Sequence, residues 1–233
     1  MIRPYKLKMT LQNTYLHIPH LLDTAQLQQV DSLLANASFV DGGMTATDAA
    51  KRVKRNLQMD MQTQQYAAVH QILLTAINRN LLLRNAVFPK EIYPFLISRY
   101  TAGMTYGWHV DSPVMGNMMR TDIAMTIFLN EKEDYSGGEL ELQTPVGNQL
   151  YKYDAGDAIC YPCTQLHRVC EVQAGERRVA VTWMESLIKS QEHRQILFEL
   201  QQIIDSLFAK DIHDNEARLL QQNHSNLIRM WCA

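Results

Sequence analysis

No stretch of this 233-residue chain approaches the roughly 18 uncharged apolar residues that a membrane-spanning helix needs, so no membrane is expected. The first twenty residues carry Arg3, Lys6, Lys8, His17 and His20 without a continuous apolar segment, which excludes an ordinary signal peptide and points to the cytoplasm. An excess of one charge is also missing. Twenty-two Lys and Arg face 24 Asp and Glu, and a net charge of −2 gives no general attraction to nucleic acid. Cysteine is sparse, with four residues at 160, 163, 170 and 232. Cys160-x-x-Cys163 has no second pair at zinc-ribbon spacing, so reduced, structural thiols are expected. Repeats and low-complexity tracts are absent as well. What is plentiful is apolar material, at 46 %, enough for one sizeable core.

The pattern divides into three parts. Residues 1–90 read as helical support with a loop. Asp23 or Thr24 can cap a first helix bearing Leu27, Val30, Leu33 and Leu34. Residues 39–56 read as a loop with the basic cluster Lys51, Arg52, Lys54 and Arg55, either solvated or a substrate-facing lid. A second helix is predicted from Thr63 to Leu83. Residues 91–187 form short strands separated by Gly and Pro turns, the spacing of a sandwich or jelly roll. A turn is expected at Glu171–Gly175, followed by a strand from Arg177 to Trp183. Residues 188–233 return to helix, with Ile196, Leu197, Leu200, Ile203, Ile204, Leu207 and Phe208 as a stripe for core contact or a homodimer face. The expected class is α+β, a double-stranded β-helix (jelly roll) with supporting N- and C-terminal helices.

His109-Val-Asp111 is the segment richest in chemistry. In an extended strand residues two apart share a face, so an imidazole and a carboxylate project together. With a distant histidine, two His and one carboxylate hold Fe(II) on one face of an octahedron and leave three positions open. His167, near the end of a buried strand, is the candidate third ligand. On the later strand Arg177 shares a face with Val179, Val181 and Trp183, and a guanidinium among apolar residues is costly unless it meets an anion. Its fork suits a carboxylate. Trp183 reads as core. Met115, Met118 and Met119 are either a flexible rim or core filler. Histidines 17, 20, 70, 193, 213 and 224 have no partner at ligand spacing.

Arg99-Tyr100-Thr-Ala-Gly103-Met-Thr-Tyr106-Gly-Trp-His109-Val-Asp111 resembles the metal-binding segment of prolyl-4-hydroxylase-type Fe(II)/2-oxoglutarate dioxygenases. Arg120-Thr-Asp122, Ser136-Gly-Gly-Glu139-Leu, Tyr161-Pro, Leu166-His167-Arg-Val and Gly175-Glu-Arg177 narrow the resemblance to the PKHD-type hydroxylases, over nearly the whole chain. The resemblance implies that His109, Asp111 and His167 ligate iron and that Arg177 binds 2-oxoglutarate. Tyr100 stands where related hydroxylases help to hold that cosubstrate. Phe128 stands where some relatives present a tyrosine, so any second hydroxyl contact must come from elsewhere. The implied reaction consumes O2 and 2-oxoglutarate and releases succinate and CO2 as a protein side chain or small molecule is hydroxylated, with ascorbate keeping iron reduced. A link to iron uptake is also implied. Tyr106, Trp108, Arg120 and Asp122 are candidates for the substrate mouth. A non-catalytic iron or 2-oxoglutarate sensor acting through a protein partner would use the same ligands, whereas a cupin-like isomerase or sugar-binding jelly roll would leave Arg177 without a role.

Overall fold

The computed structural model describes residues 12–45, 51–210 and 214–232. The first eight strands are β1 (Leu16–Ile18), β2 (Phe39–Asp41), β3 (Lys54–Arg55), β4 (Leu57–Met59), β5 (Pro89–Ile92), β6 (Leu96–Thr101), β7 (Thr105–His109) and β8 (Val114–Met115). The rest are β9 (Met119–Arg120), β10 (Ile123–Phe128), β11 (Tyr135–Gly137), β12 (Leu140–Thr144), β13 (Gly147–Tyr151), β14 (Ala158–Pro162), β15 (His167–Val169) and β16 (Val172–Ser186). The helices are α1 (Thr24–Ala35), α2 (Gln64–Arg79), α3 (Leu81–Val87), α4 (Gln191–Ala209) and α5 (Asn215–Trp231).

The strands build a jelly roll. One antiparallel sheet runs β1-β14-β10-β16-β6-β4-β2, with β5 and β11 also paired to β16. The second runs β13-β12-β15-β7-β3, and β8 and β9 form a separate ribbon. Burial explains the long apolar run in β10. Ile123, Met125 and Ile127 join the core shared with α1, α2 and α3. Ala124 and Phe128 face a second core that includes Leu140, Leu142 and Val169 of the smaller sheet. A strand covered on both faces has no solvent-facing alternation to display. Along β16, Val179 and Trp183 face the second core, while Ala180 and Met184 face the first. Arg177 therefore lies on the face expected from its spacing.

Local chemistry sets several boundaries. Asp23 caps α1 in a reciprocal box with Gln26. The single helix predicted from Thr63 to Leu83 is two helices, because Asn80 adopts an extended conformation and its side chain accepts from Leu83 N at 2.9 Å to start α3. The loop predicted over 39–56 contains β2 and β3, and β4 follows at once; the remainder of any lid, 46–50, lies outside the described residues. The turn predicted at Glu171–Gly175 is the opening of β16, paired there with β11. In the C-terminal stripe Leu197 and Ile204 are buried, as is Phe198 outside it, but Ile196 and Ile203 remain 43 % and 40 % exposed. The buried face of α4 is rotated toward Arg194, whose guanidinium donates to Ile188 O, Lys189 O and Gln191 Oε1.

Candidate active site

The jelly roll brings residues 58 positions apart into direct register: His167 on β15 pairs with His109 on β7. The next pair is Val169 with Tyr106, so three steps on β7 match two on β15. That bulge turns both Tyr106 and His109 toward the cleft, where their rings stack with centroids 3.6 Å apart. The strand ends at His109, so Asp111 is carried by the following loop and not by a continuing strand as expected. Thr121 holds this loop by donating to the carbonyls of Ser112 and Pro113.

His109, Asp111 and His167 offer ligand atoms that all lie within 4.8 Å of one another. The Nδ1 of His109 lies 2.8 Å from Gly107 O, and that of His167 lies 2.8 Å from Gln165 O. A carbonyl only accepts, so both Nδ1 atoms carry the proton and both Nε2 atoms keep a free lone pair. The supporting carbonyls are themselves held in place. Gly107 N donates to Val53 O at 2.9 Å, and Gln165 Oε1 accepts from Tyr15 Oη at 2.7 Å. A Cβ on Gly107 would stand 2.8 Å from Val53 Cβ, so only glycine permits this approach.

Electrostatics agree with a cation site. Burial, reinforced by the His167 imidazole, pushes the His109 pKa down to about 3, which keeps the ring neutral. Burial raises the Asp111 carboxyl, opposed by His167 and by the nearby Trp183 indole N–H. Asp111 Oδ2 and Trp183 Nε1 are nonetheless buried without hydrogen bonds. An orphaned carboxylate oxygen beside two imidazole lone pairs fits a divalent cation, which would satisfy all three donors at once.

Arg177 is the second unusual group. It is 1 % exposed, and its Nε and Nη1 have no hydrogen-bond partner. Its Cζ lies 5.2 Å from the Tyr100 ring centre and 5.9 Å from that of Phe128. Both Arg177 and Tyr100 line the cleft that holds the three ligand side chains, together with Lys54, Tyr161 and Trp183. Gly138 sits against this guanidinium stem at φ +69°. A Cβ there would stand 2.9 Å from Val172 Cγ2, 3.0 Å from Arg177 Cδ and 3.2 Å from Tyr135 Cε2. That contact accounts for glycine in the Ser136-Gly-Gly-Glu139 segment.

The sequence profile of the 2OG-Fe(II) oxygenase superfamily matches residues 95–185. A PKHD-type hydroxylase from Synechococcus sp. (strain JA-2-3B'a(2-13)) is 44 % identical over 217 residues, covering 92 % of this chain and 97 % of the relative. One from Thermosynechococcus vestitus is 43 % identical over 219 residues, covering 93 % and 98 %. The chain belongs to the PKHD-type hydroxylases. Like them it is an Fe(II)/2-oxoglutarate-dependent dioxygenase. Its fold is similar to that of a Pseudomonas putida prolyl-4-hydroxylase, with TM-score 0.51 and 19 % identity over 73 % of this chain and 92 % of that one. A Trichoplax adhaerens prolyl hydroxylase, solved with a hypoxia inducible factor peptide fragment, gives TM-score 0.52 and 16 % identity over 79 % and 87 %.

In this PKHD-type hydroxylase not every residue picked from sequence reaches the cleft. Arg120 instead donates twice to Asp122, at 2.8 and 2.9 Å, and once to Ser186 O, tying β9 to the end of β16. Trp108 is exposed and faces the Arg168 guanidinium. Met119 is buried and Met118 is 78 % exposed, so the methionines do not act as one group. Cys160 and Cys163 are buried free thiols. His17 pairs with Asp157, His193 stacks on Trp231, and His213 lies outside the described residues. Trp183, read as core, is buried in the second core and also borders Asp111. Lys54 was read among loop cations, yet it is buried, and its ammonium lies 5.2 Å from the Tyr106 ring centre. Burial pulls its pKa down to about 8, against the charge of Asp41. The alternation Lys54, Asn56, Gln58 is a polar strand face, readable as such only once the segment is known to be extended.

Proposed function

We propose that His109, Asp111 and His167 bind Fe(II) and that Arg177, with Tyr100 beside it, holds the distal carboxylate of 2-oxoglutarate, so that the protein hydroxylates a C–H bond of a protein side chain or small molecule. The observation that carries this reading is a buried guanidinium with two unsatisfied nitrogens in the same cleft as a partly buried two-His, one-carboxylate cluster. Neither group is stable alone, since an unpaired buried charge costs several kcal/mol, on the order of the penalty for breaking a buried ion pair. A dicarboxylic cosubstrate bridging a metal and an arginine satisfies both.

When bound, Fe(II) and 2-oxoglutarate supply the oxidising chemistry: substrate R–H, O2 and 2-oxoglutarate give R–OH, succinate and CO2. The chain's own contribution is positional. Gly107 O and Gln165 O fix the two imidazole tautomers, and the bulge on β7 aims His109 into the cleft. The walls formed by buried Tyr100 and Leu140 and by half-buried Val181 limit water around the reacting centre. Trp183 borders the carboxylate of Asp111, and Lys54 gives the cleft a positive wall for substrate. The reading places the enzyme in the cytoplasm, where free thiols persist. A role connected with iron uptake is part of the proposal, carried by the family resemblance alone.

Succinate release under air tests the proposal. Wild-type protein given Fe(II), 2-oxoglutarate and ascorbate should form succinate slowly even without substrate, and Asp111→Ala and His109→Ala should form none. Succinate formation by Asp111→Ala at the wild-type rate would sink the ligand assignment. Iron binding without any turnover on any substrate would favour a sensor.

A further inference from the structure

Three buried polar atoms at the back of the cleft, Arg177 Nε, Arg177 Nη1 and Tyr135 Oη, have no hydrogen-bond partner of normal geometry. Tyr135 is 5 % exposed, and burial raises its hydroxyl pKa while the Arg177 charge opposes the rise. The guanidinium is thus close enough to reach the phenol oxygen as a loose donor, but it offers no acceptor, so the Tyr135 O–H has nothing to donate to. Gly138 makes their approach possible, because a side chain there would collide with both Arg177 Cδ and Tyr135 Cε2. Phe128, whose ring centre lies 5.9 Å from Arg177 Cζ, presents a ring without a hydroxyl.

A phenol and a guanidinium that both lack acceptors need an oxygen that both can reach, since leaving each unsatisfied is costly. We propose that Tyr135 is the second anchor of the 2-oxoglutarate distal carboxylate, donating its O–H to one carboxylate oxygen while Arg177 donates to the carboxylate from its fork. The proposal rests on the Arg177 reading above and adds to it the hydroxyl that Phe128 cannot supply. Tyr135 enters from β11, whose pairing of Tyr135 with Gly175 sets it two residues from Arg177 along β16. A neutral donor beside a cation strengthens carboxylate recognition without adding charge.

The test is anaerobic calorimetry of Fe(II)-loaded protein with two 2-oxo acids. One is 2-oxoglutarate; the other is 2-oxopentanoate, which has a methyl group in place of the distal carboxylate. Tyr135→Phe should weaken 2-oxoglutarate roughly ten-fold, the worth of one hydrogen bond to a charged group, and leave 2-oxopentanoate unchanged. The ratio of the two affinities is the decisive readout, because partial misfolding would weaken both acids alike. Equal losses for the two acids, or no loss for either, would overturn the role of Tyr135. Arg177→Met separates the two ideas. Lost 2-oxoglutarate binding in Arg177→Met, together with unchanged Tyr135→Phe, keeps the arginine anchor and rejects the tyrosine, whereas normal binding in Arg177→Met rejects both.

Discussion

Adding one methyl group at Gly138 should destabilise the protein far more than adding one at Gly103, although both residues have positive φ. Gly138 sits at φ +69° and Gly103 at φ +83°. An alanine in that region costs about 1–2 kcal/mol of backbone strain. At Gly103 nothing else is met within 4 Å. At Gly138 the new Cβ would stand 2.9–3.2 Å from Val172, Arg177 and Tyr135, all buried. Forcing atoms into a packed core adds about 1–3 kcal/mol. The sum is roughly 2–5 kcal/mol, and for a chain of this size each kcal/mol moves the melting temperature by about 2–4 °C. Gly138→Ala should therefore melt roughly 4–20 °C below wild type, and Gly103→Ala roughly 2–8 °C below. Thermal denaturation followed by circular dichroism reads both directly. The contact that resists the methyl group is the stem of Arg177, so Gly138→Ala should also weaken 2-oxoglutarate, while Gly103→Ala should not. Equal melting temperatures for the two variants would refute the claim that Gly138 is reserved for the close approach of Arg177 and Tyr135.

Three further outcomes follow from the cleft. Asp111→Asn removes a buried carboxylate with an unsatisfied oxygen, so the metal-free variant should be at least as stable as wild type; the same change should abolish metal-induced stabilisation. For wild type, Mn(II) at a hundred times its dissociation constant should add about 2.7 kcal/mol, or roughly 5–10 °C in melting temperature. An equal shift in Asp111→Asn would place the metal elsewhere. Lys54→Met should stabilise the metal-free protein near pH 7. The folded pKa of Lys54 is about 8 against 10.5 unfolded, so the unfolded chain binds the proton more tightly and wild type loses stability as pH falls from 10.5 to 8. The full difference is about 3 kcal/mol by proton linkage. The gap between variant and wild type in urea melts should thus be widest below pH 8 and close toward pH 10.5; a gap independent of pH would show that Lys54 is not titrating as described.

Much of this molecule could be read from the chain before any coordinates. His109, Asp111 and His167 stood out by residue type and spacing, and Arg177 by its place among Val179, Val181 and Trp183. The structure brings all four to one cleft. Capping chemistry located α1, because Asp23 and Gln26 act within four residues of one another. What sequence could not convey depended on partners distant along the chain. Asn80 splits a helix whose apolar spacing runs on across the break. Lys54 looked like one cation among several until β3 was seen to pair with β7, the strand that carries His109. The bulge that turns Tyr106 and His109 to the same side is a property of the β7–β15 register, and neither strand shows it alone. Ile196 and Ile203 fit a helical stripe as well as Leu197 and Ile204 do, and only packing around Arg194 decides which are covered.

The most direct test of the central claim is an anaerobic titration of the purified protein with Fe(II) and then with 2-oxoglutarate, following the visible charge-transfer band of the iron-bound 2-oxo acid. Wild type should show a saturable band, His167→Ala should show none, and Arg177→Met should show one only at much higher 2-oxoglutarate. A folded wild-type protein that binds iron but develops no band would contradict the assignment of this cleft to 2-oxoglutarate.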